Sequence, residues 1–118
     1  MNIVIIGNRK GWTYEFVRKK LKELNVYKSD VIISGGAEGV DGFAQRYAKE
    51  IGAEIRIIYP DPDKPSPSRF FDRNKLMVLL GHVIIAFDKK ELTHSGTRYT
   101  IDFARRQKKE VILIDKEE

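Results

Sequence analysis

The sequence predicts an α/β fold: one Rossmann-like domain over residues 1–118, with a five-stranded parallel sheet and helices on both faces. Three observations predict it. Short β-branched runs alternate from end to end with segments of helical period, the pattern of parallel strands joined by crossover helices. Several of the strand runs are apolar throughout, as strands covered on both faces require. A length of 118 residues suits a single core and is too short for two ordinary ones.

Strands are expected at Asn2–Ile6, Asp30–Ser34, Glu54–Tyr59, His82–Phe87 and Glu110–Ile114. The first helix is expected over Thr13–Leu24, where Tyr14, Val17, Leu21 and Leu24 recur on one stripe that faces the sheet. In the second, Val40, Phe43, Ala44, Tyr47, Ala48 and Ile51 repeat the helical period, and Gly52 follows as a C-terminal stop. Less regular patterns predict a third helix over Arg69–Leu80 and a fourth over Gly96–Lys108. The segment Tyr59–Ser68 holds all four prolines, so it cannot continue a helix or a central strand. It reads as a long surface connection within the domain and a candidate lid.

Composition narrows the function classes. No apolar run approaches the roughly 20 residues of a membrane-spanning helix, so no membrane partner is expected. The amino terminus enters a strand-like run without the features of a secretory signal, which predicts a cytoplasmic protein. There is no cysteine, and His82 and His94 are the only histidines, a poor basis for a metal centre; no metal and no cofactor are expected. A formal charge of +5 and a pI near 9.5 are compatible with nucleic acid, acidic partners or a phosphorylated ligand. Interleaved charges, as in Glu15–Glu23 and Gln107–Glu118, favour a solvated surface instead.

In an open parallel sheet, ligands bind beyond the carboxyl ends of the strands. Four unusual segments fall there: Gly7-Asn8-Arg9, the turn Ser34-Gly35-Gly36-Ala37-Glu38-Gly39-Val40-Asp41, Asp72-Arg73-Asn74, and Ser95-Gly96-Thr97. A turn with Gly35, Gly36 and Gly39 lets the backbone approach an anion and leads into a helix whose free N–H groups favour one. Tight turns also require glycine for their own sake. The spacing is neither the dinucleotide fingerprint nor a P-loop. Ser95, Gly96 and Thr97 repeat the device at the fourth helix, where an ordinary N-cap is the alternative. Arg9 and Arg73 are candidate phosphate donors, or partners of structural carboxylates such as Asp72 or Asp88. Asp41 is a candidate acceptor for a sugar hydroxyl, although an acid in a first helical turn is favoured by the dipole regardless. Asn8 and Asn74 orient either ligand or turn backbone. Trp12 and Tyr14 stack a base or fill the core.

The order of Gly7-Asn8-Arg9, Ser34-Gly35-Gly36-Ala37-x-Gly39-x-Asp41, Arg73-Asn74 with Met77, and Ser95-Gly96-Thr97 resembles the SLOG superfamily, and within it the small YspA/YpsA-related group. That superfamily includes DNA-processing protein A, which binds single-stranded DNA, and the LOG "lysine decarboxylase-like" phosphoribohydrolases. It also includes sensor domains thought to bind nucleotide-derived signals. The resemblance implies a nucleotide-type ligand site, and homo-oligomers are common among such relatives. The phosphoribohydrolases carry a P-G-G-x-G-T-x-x-E motif whose glutamate is essential; here that position is Thr100, which cannot replace a carboxylate. No catalytic residue is therefore assigned. The expected function is binding of a nucleotide or nucleotide derivative at the carboxyl edge, as in a sensor. The expected ligand contacts are Gly7, Asn8, Arg9, Ser34, Gly35, Gly36, Gly39, Asp41, Arg73, Asn74, Ser95, Gly96 and Thr97. A phosphoribohydrolase-like enzyme and a single-stranded nucleic-acid binder remain the alternatives.

Overall fold

The structure is a computed structural model that describes residues 1–89 and 96–117. Its elements run β1 (Asn2–Gly7), α1 (Tyr14–Glu23), β2 (Val31–Ser34), α2 (Val40–Ile51), β3 (Glu54–Ile57), α3 (Ser68–Leu80), β4 (Val83–Phe87), α4 (Gly96–Arg106) and β5 (Glu110–Ile114). All strand pairs are parallel, in the order β3-β2-β1-β4-β5. The alternating strands and helices of the sequence thus form one α/β sheet, Rossmann-like in topology, because parallel neighbours need a helical crossover.

The two faces of the sheet have separate cores. On one, Ile3, Ile5, Ile32, Ile85 and Phe87 pack against α1 and α2. On the other, Val4, Ile6, Ile33, Ile84 and Ala86 pack against α3 and α4. Successive side chains of a strand point to opposite faces, so a central strand must be apolar at every position to serve both layers. β4 does this over its full length.

Element ends differ from the expected ones by a residue or two, each for a visible reason. Thr13 is the N-cap of α1, its side-chain oxygen accepting the Phe16 N–H at 3.2 Å, and Leu24 is its C-cap. Asp30 lies outside β2 because its carboxylate accepts the Tyr27 N–H at 2.9 Å and closes the preceding turn. β3 stops at Ile57 rather than Tyr59: after the Ile58 N–H bonds the Ser34 carbonyl at 2.9 Å, the chain turns away toward the proline segment and Tyr59 is exposed. α4 ends at Arg106, with Lys108 at φ 58 returning the chain to β5. Among the described residues, no helix is long and apolar enough to cross a membrane.

Candidate functional site

The strand order reverses at β1 and β4. After β1 the chain passes to α1 on one face, and after β4 to α4 on the other, so the two connections part and leave a crevice over their strand ends. A cleft of about 600 Å³ opens there. Gly7, Asn8, Arg9 and Lys10 line it from β1, Ala37 and Asp41 from the glycine turn and α2, and Gly96 and Thr97 from the start of α4. The remaining wall belongs to α3 and its approach: Pro67, Phe70, Phe71, Arg73, Asn74 and Met77.

The charges of the cleft are unevenly engaged. Arg9 and Lys10 are exposed at its rim, and among the described residues neither makes a hydrogen bond or ion pair. The Thr97 hydroxyl is likewise without a partner among the described residues, in the first turn of α4, where backbone N–H groups are unsatisfied by the helix itself. Arg73 is committed. Its Nη1 donates to the Gly35 carbonyl at 2.5 Å and its Nε to Asn74 Oδ1 at 2.7 Å. Neither Asp72 nor Asp88 is its partner: Asp72 pairs with Lys64 at 3.0 Å and Asp88 with Arg98 at 3.0 Å. Burial pushes the Arg73 guanidinium below its ordinary pKa, against the opposing pull of Asp41. Burial also pushes the Asp41 carboxyl above the usual carboxylate value, although the Ala37 N–H, Arg73 and Arg9 favour its charged form.

The glycine turn is a packing device as much as a ligand loop. A Cβ on Gly35 would lie 2.6 Å from Arg73 Nη1 and 2.9 Å from Asp41 Oδ2, so only glycine lets those side chains close over it. Gly39, at φ 75, would drive a Cβ into the Arg9 backbone, and in its absence the Asn8 carbonyl accepts the Val40 N–H at 3.4 Å. The first and second strand ends are thereby brought into contact. Ser34 is fully buried; its hydroxyl donates to the Asp41 carbonyl at 3.1 Å and accepts the Gly36 N–H at 3.4 Å. Gly36 is exposed against Ile57 and Tyr59.

Of the expected contacts, the structure thus brings Gly7, Asn8, Arg9, Asp41, Arg73, Asn74, Gly96 and Thr97 around one cavity, while Ser34, Gly35 and Gly39 brace residues that line it and Gly36 lies outside it. Ser95 lies outside the described residues. Two of the lining amides are structural nodes. Asn8 Oδ1 accepts from Trp12 Nε1 at 3.0 Å and the Lys89 N–H at 3.1 Å, while its Nδ2 donates to Asp88 at 2.9 Å. Asn74 Nδ2 donates to the Thr100 hydroxyl at 2.9 Å, which donates in turn to the Gly96 carbonyl at 2.9 Å. Trp12 is core, packed between Phe16 and Phe87, and so is Tyr14, whose hydroxyl reaches Glu50 at 2.9 Å.

Sequence reasoning missed Lys10 and the aromatic wall. Phe71 packs against Tyr99 with ring centroids 4.5 Å apart and the rings tilted by 33°, and the Arg69 guanidinium lies 5.0 Å from the Phe70 ring centre. A signal existed: adjacent aromatics at one helix start cannot both face the sheet, and they follow the proline segment directly.

No family model and no curated protein matches the chain. Solved structures do. DNA processing protein A from Streptococcus pneumoniae superposes with a TM-score of 0.81 at 20% identity, over 98% of this chain and 50% of that one. The likeness is one of fold. DNA processing protein A from Helicobacter pylori, described for its single-stranded DNA binding mode, gives 0.70 at 23% identity over 99% of this chain and 66% of its own. The structure of TM1055 gives 0.67 at 18% identity, covering 93% of this chain and 71% of that one. The chain therefore spans half to about two thirds of the DNA processing proteins it resembles.

Proposed function

We propose that the cleft over β1 and β4 binds a nucleotide or nucleotide derivative, with phosphate held by Arg9, Lys10 and the start of α4 and the base laid along Pro67, Phe70 and Phe71. The observation that carries this reading is the pairing, in one cavity, of two cations without partners among the described residues and an aromatic wall. An oxyanion at a helix N-terminus is favoured by its free N–H groups and dipole, and a planar base by an aromatic surface. Arg73, bonded to Gly35 and Asn74, shapes the cleft while contributing charge at a distance.

The role is binding without cleavage. Thr100, at the position of the relatives' catalytic glutamate, is buried and both accepts and donates a hydrogen bond within the protein, so it offers nothing to water or a glycosidic bond.

Calorimetric titration with AMP, GMP and inorganic phosphate tests the reading. Arg9→Ala removes a charged donor and is expected to weaken AMP by about tenfold, whereas Lys19→Ala, on the exposed face of α1, leaves it unchanged. Likeness to the Helicobacter protein favours a second reading, a single nucleic-acid strand crossing the same edge. Oligonucleotide affinity that falls steeply with salt and weakens equally in both variants, without mononucleotide binding, would establish that one instead.

A further inference from the structure

One group in the cleft does not suit an anion. Asp41 is 7% exposed and lines the cavity beside the cations. Its Oδ2 accepts the Ala37 N–H at 3.2 Å, and its backbone carbonyl takes the Ser34 hydroxyl at 3.1 Å, so the residue is fixed at both ends. The other carboxylate oxygen has no hydrogen-bond partner among the described residues, and Arg9 and Arg73 act on it at a distance, not as ion pairs. A buried carboxylate in this position repels phosphate and calls for a neutral donor. Of the three parts of a nucleotide, the phosphate is excluded by charge and the base presents a flat face to the Pro67–Phe71 wall. The sugar, which joins them, carries hydroxyl donors.

We propose that Asp41 accepts a hydrogen bond from a ribose hydroxyl and makes the cleft selective for ribonucleotides over deoxyribonucleotides. The assignment rests on the nucleotide reading above and narrows its ligand class to one that a DNA strand does not satisfy. Asp41 also pins the glycine turn through Ala37, so the substitution Asp41→Asn disturbs more than one contact, and the decisive comparison is made first on the unaltered protein by changing the ligand.

AMP, 2′-deoxy-AMP, 3′-deoxy-AMP and IMP are titrated calorimetrically into wild type and Asp41→Asn, with the fold of the variant checked by circular dichroism. At least one deoxy analogue is expected to bind wild type about tenfold more weakly than AMP, the loss of a hydrogen bond to a charged acceptor. In Asp41→Asn that ratio falls to about threefold or less, because a neutral amide oxygen is a weaker acceptor. Deoxy analogues that bind wild type as tightly as AMP overturn the assignment. So does a preference for AMP over IMP that disappears in Asp41→Asn, which would place the carboxylate on the base amine. If AMP, GMP and phosphate all fail to bind, the nucleotide reading itself falls, and this assignment with it.

Discussion

The two ends of the sheet are built from the same residue types and do opposite things. At the amino edge, α2, α3 and α4 return to strands in tight turns, with two residues before β3, two before β4 and three before β5, while seven separate α1 from β2. Asn25, Gly52 and Lys108 take positive φ there, and the turns close on their own backbone, as in Asn25 N–H to the Lys22 carbonyl at 3.0 Å. At the carboxyl edge, side chains such as Asn8, Ser34 and Arg73 brace the segments that border the cleft. A positive-φ residue at one edge ends a helix; at the other it lets two connections touch.

Gly39 and Gly52 test that contrast most strongly, since their φ values are 75° and 74°. Gly52→Ala meets open space and bears only the left-handed backbone cost, about 1 kcal/mol. Gly39→Ala adds a collision with the Arg9 backbone, which is rigid, and is expected to cost at least about 2 kcal/mol in urea unfolding. Equal losses would mean that the carboxyl-edge loops yield as easily as a free turn.

A smaller difference is expected between Asn8 and Asp30, each of which braces a turn with its side chain. Asn8→Ala strips acceptors from the buried Trp12 indole N–H and from the Lys89 N–H, at about 1–3 kcal/mol. Asp30→Ala frees the Tyr27 N–H and the amino terminus at the exposed amino edge, where water replaces the carboxylate, at about 1 kcal/mol or less. A reversed order would sink the idea that the cleft loops carry the buried polar network.

How much of this was legible in the sequence follows the same division. The helical stripes of α1 and α2 and the apolar run of β4 identify themselves, because a period of 3.6 or a two-faced strand leaves a one-dimensional trace. Gly39 was legible as a turn residue. That Gly35 makes room for Arg73 and Asp41 was not, since those partners come from α3 and α2 and meet only through the parallel sheet. The acceptor of Arg73 was not legible for the same reason: it is a backbone carbonyl, and no sequence pattern marks one carbonyl from another. Phe70 and Phe71 showed themselves only as a doublet whose direction depended on where α3 began.

The smallest expected effect lies in the helix layer that joins the edges. Tyr14 at the start of α1 bonds Glu50 near the end of α2, and burial, reinforced by that hydrogen bond, pushes its phenol from 10.0 up to about 12. A raised pKa means that the folded state holds the proton more tightly. The contribution is therefore complete below pH 10 and is lost as pH rises toward about 12. Absorbance titration of wild type against Tyr14→Phe reads it, and a tyrosine removed by the substitution that had ionised at the ordinary phenol pKa contradicts it.

Amide chemical-shift mapping on AMP addition tests the central claim most directly, because it reports both edges at once. Perturbations are expected at Gly7–Lys10, Ala37, Phe70–Asn74 and Gly96–Thr97, with the amino-edge amides of Asn25, Gly52 and Lys108 unmoved. Shifts centred on the amino edge, or scattered over the lysine-bearing helix faces with the cleft silent, would contradict the account.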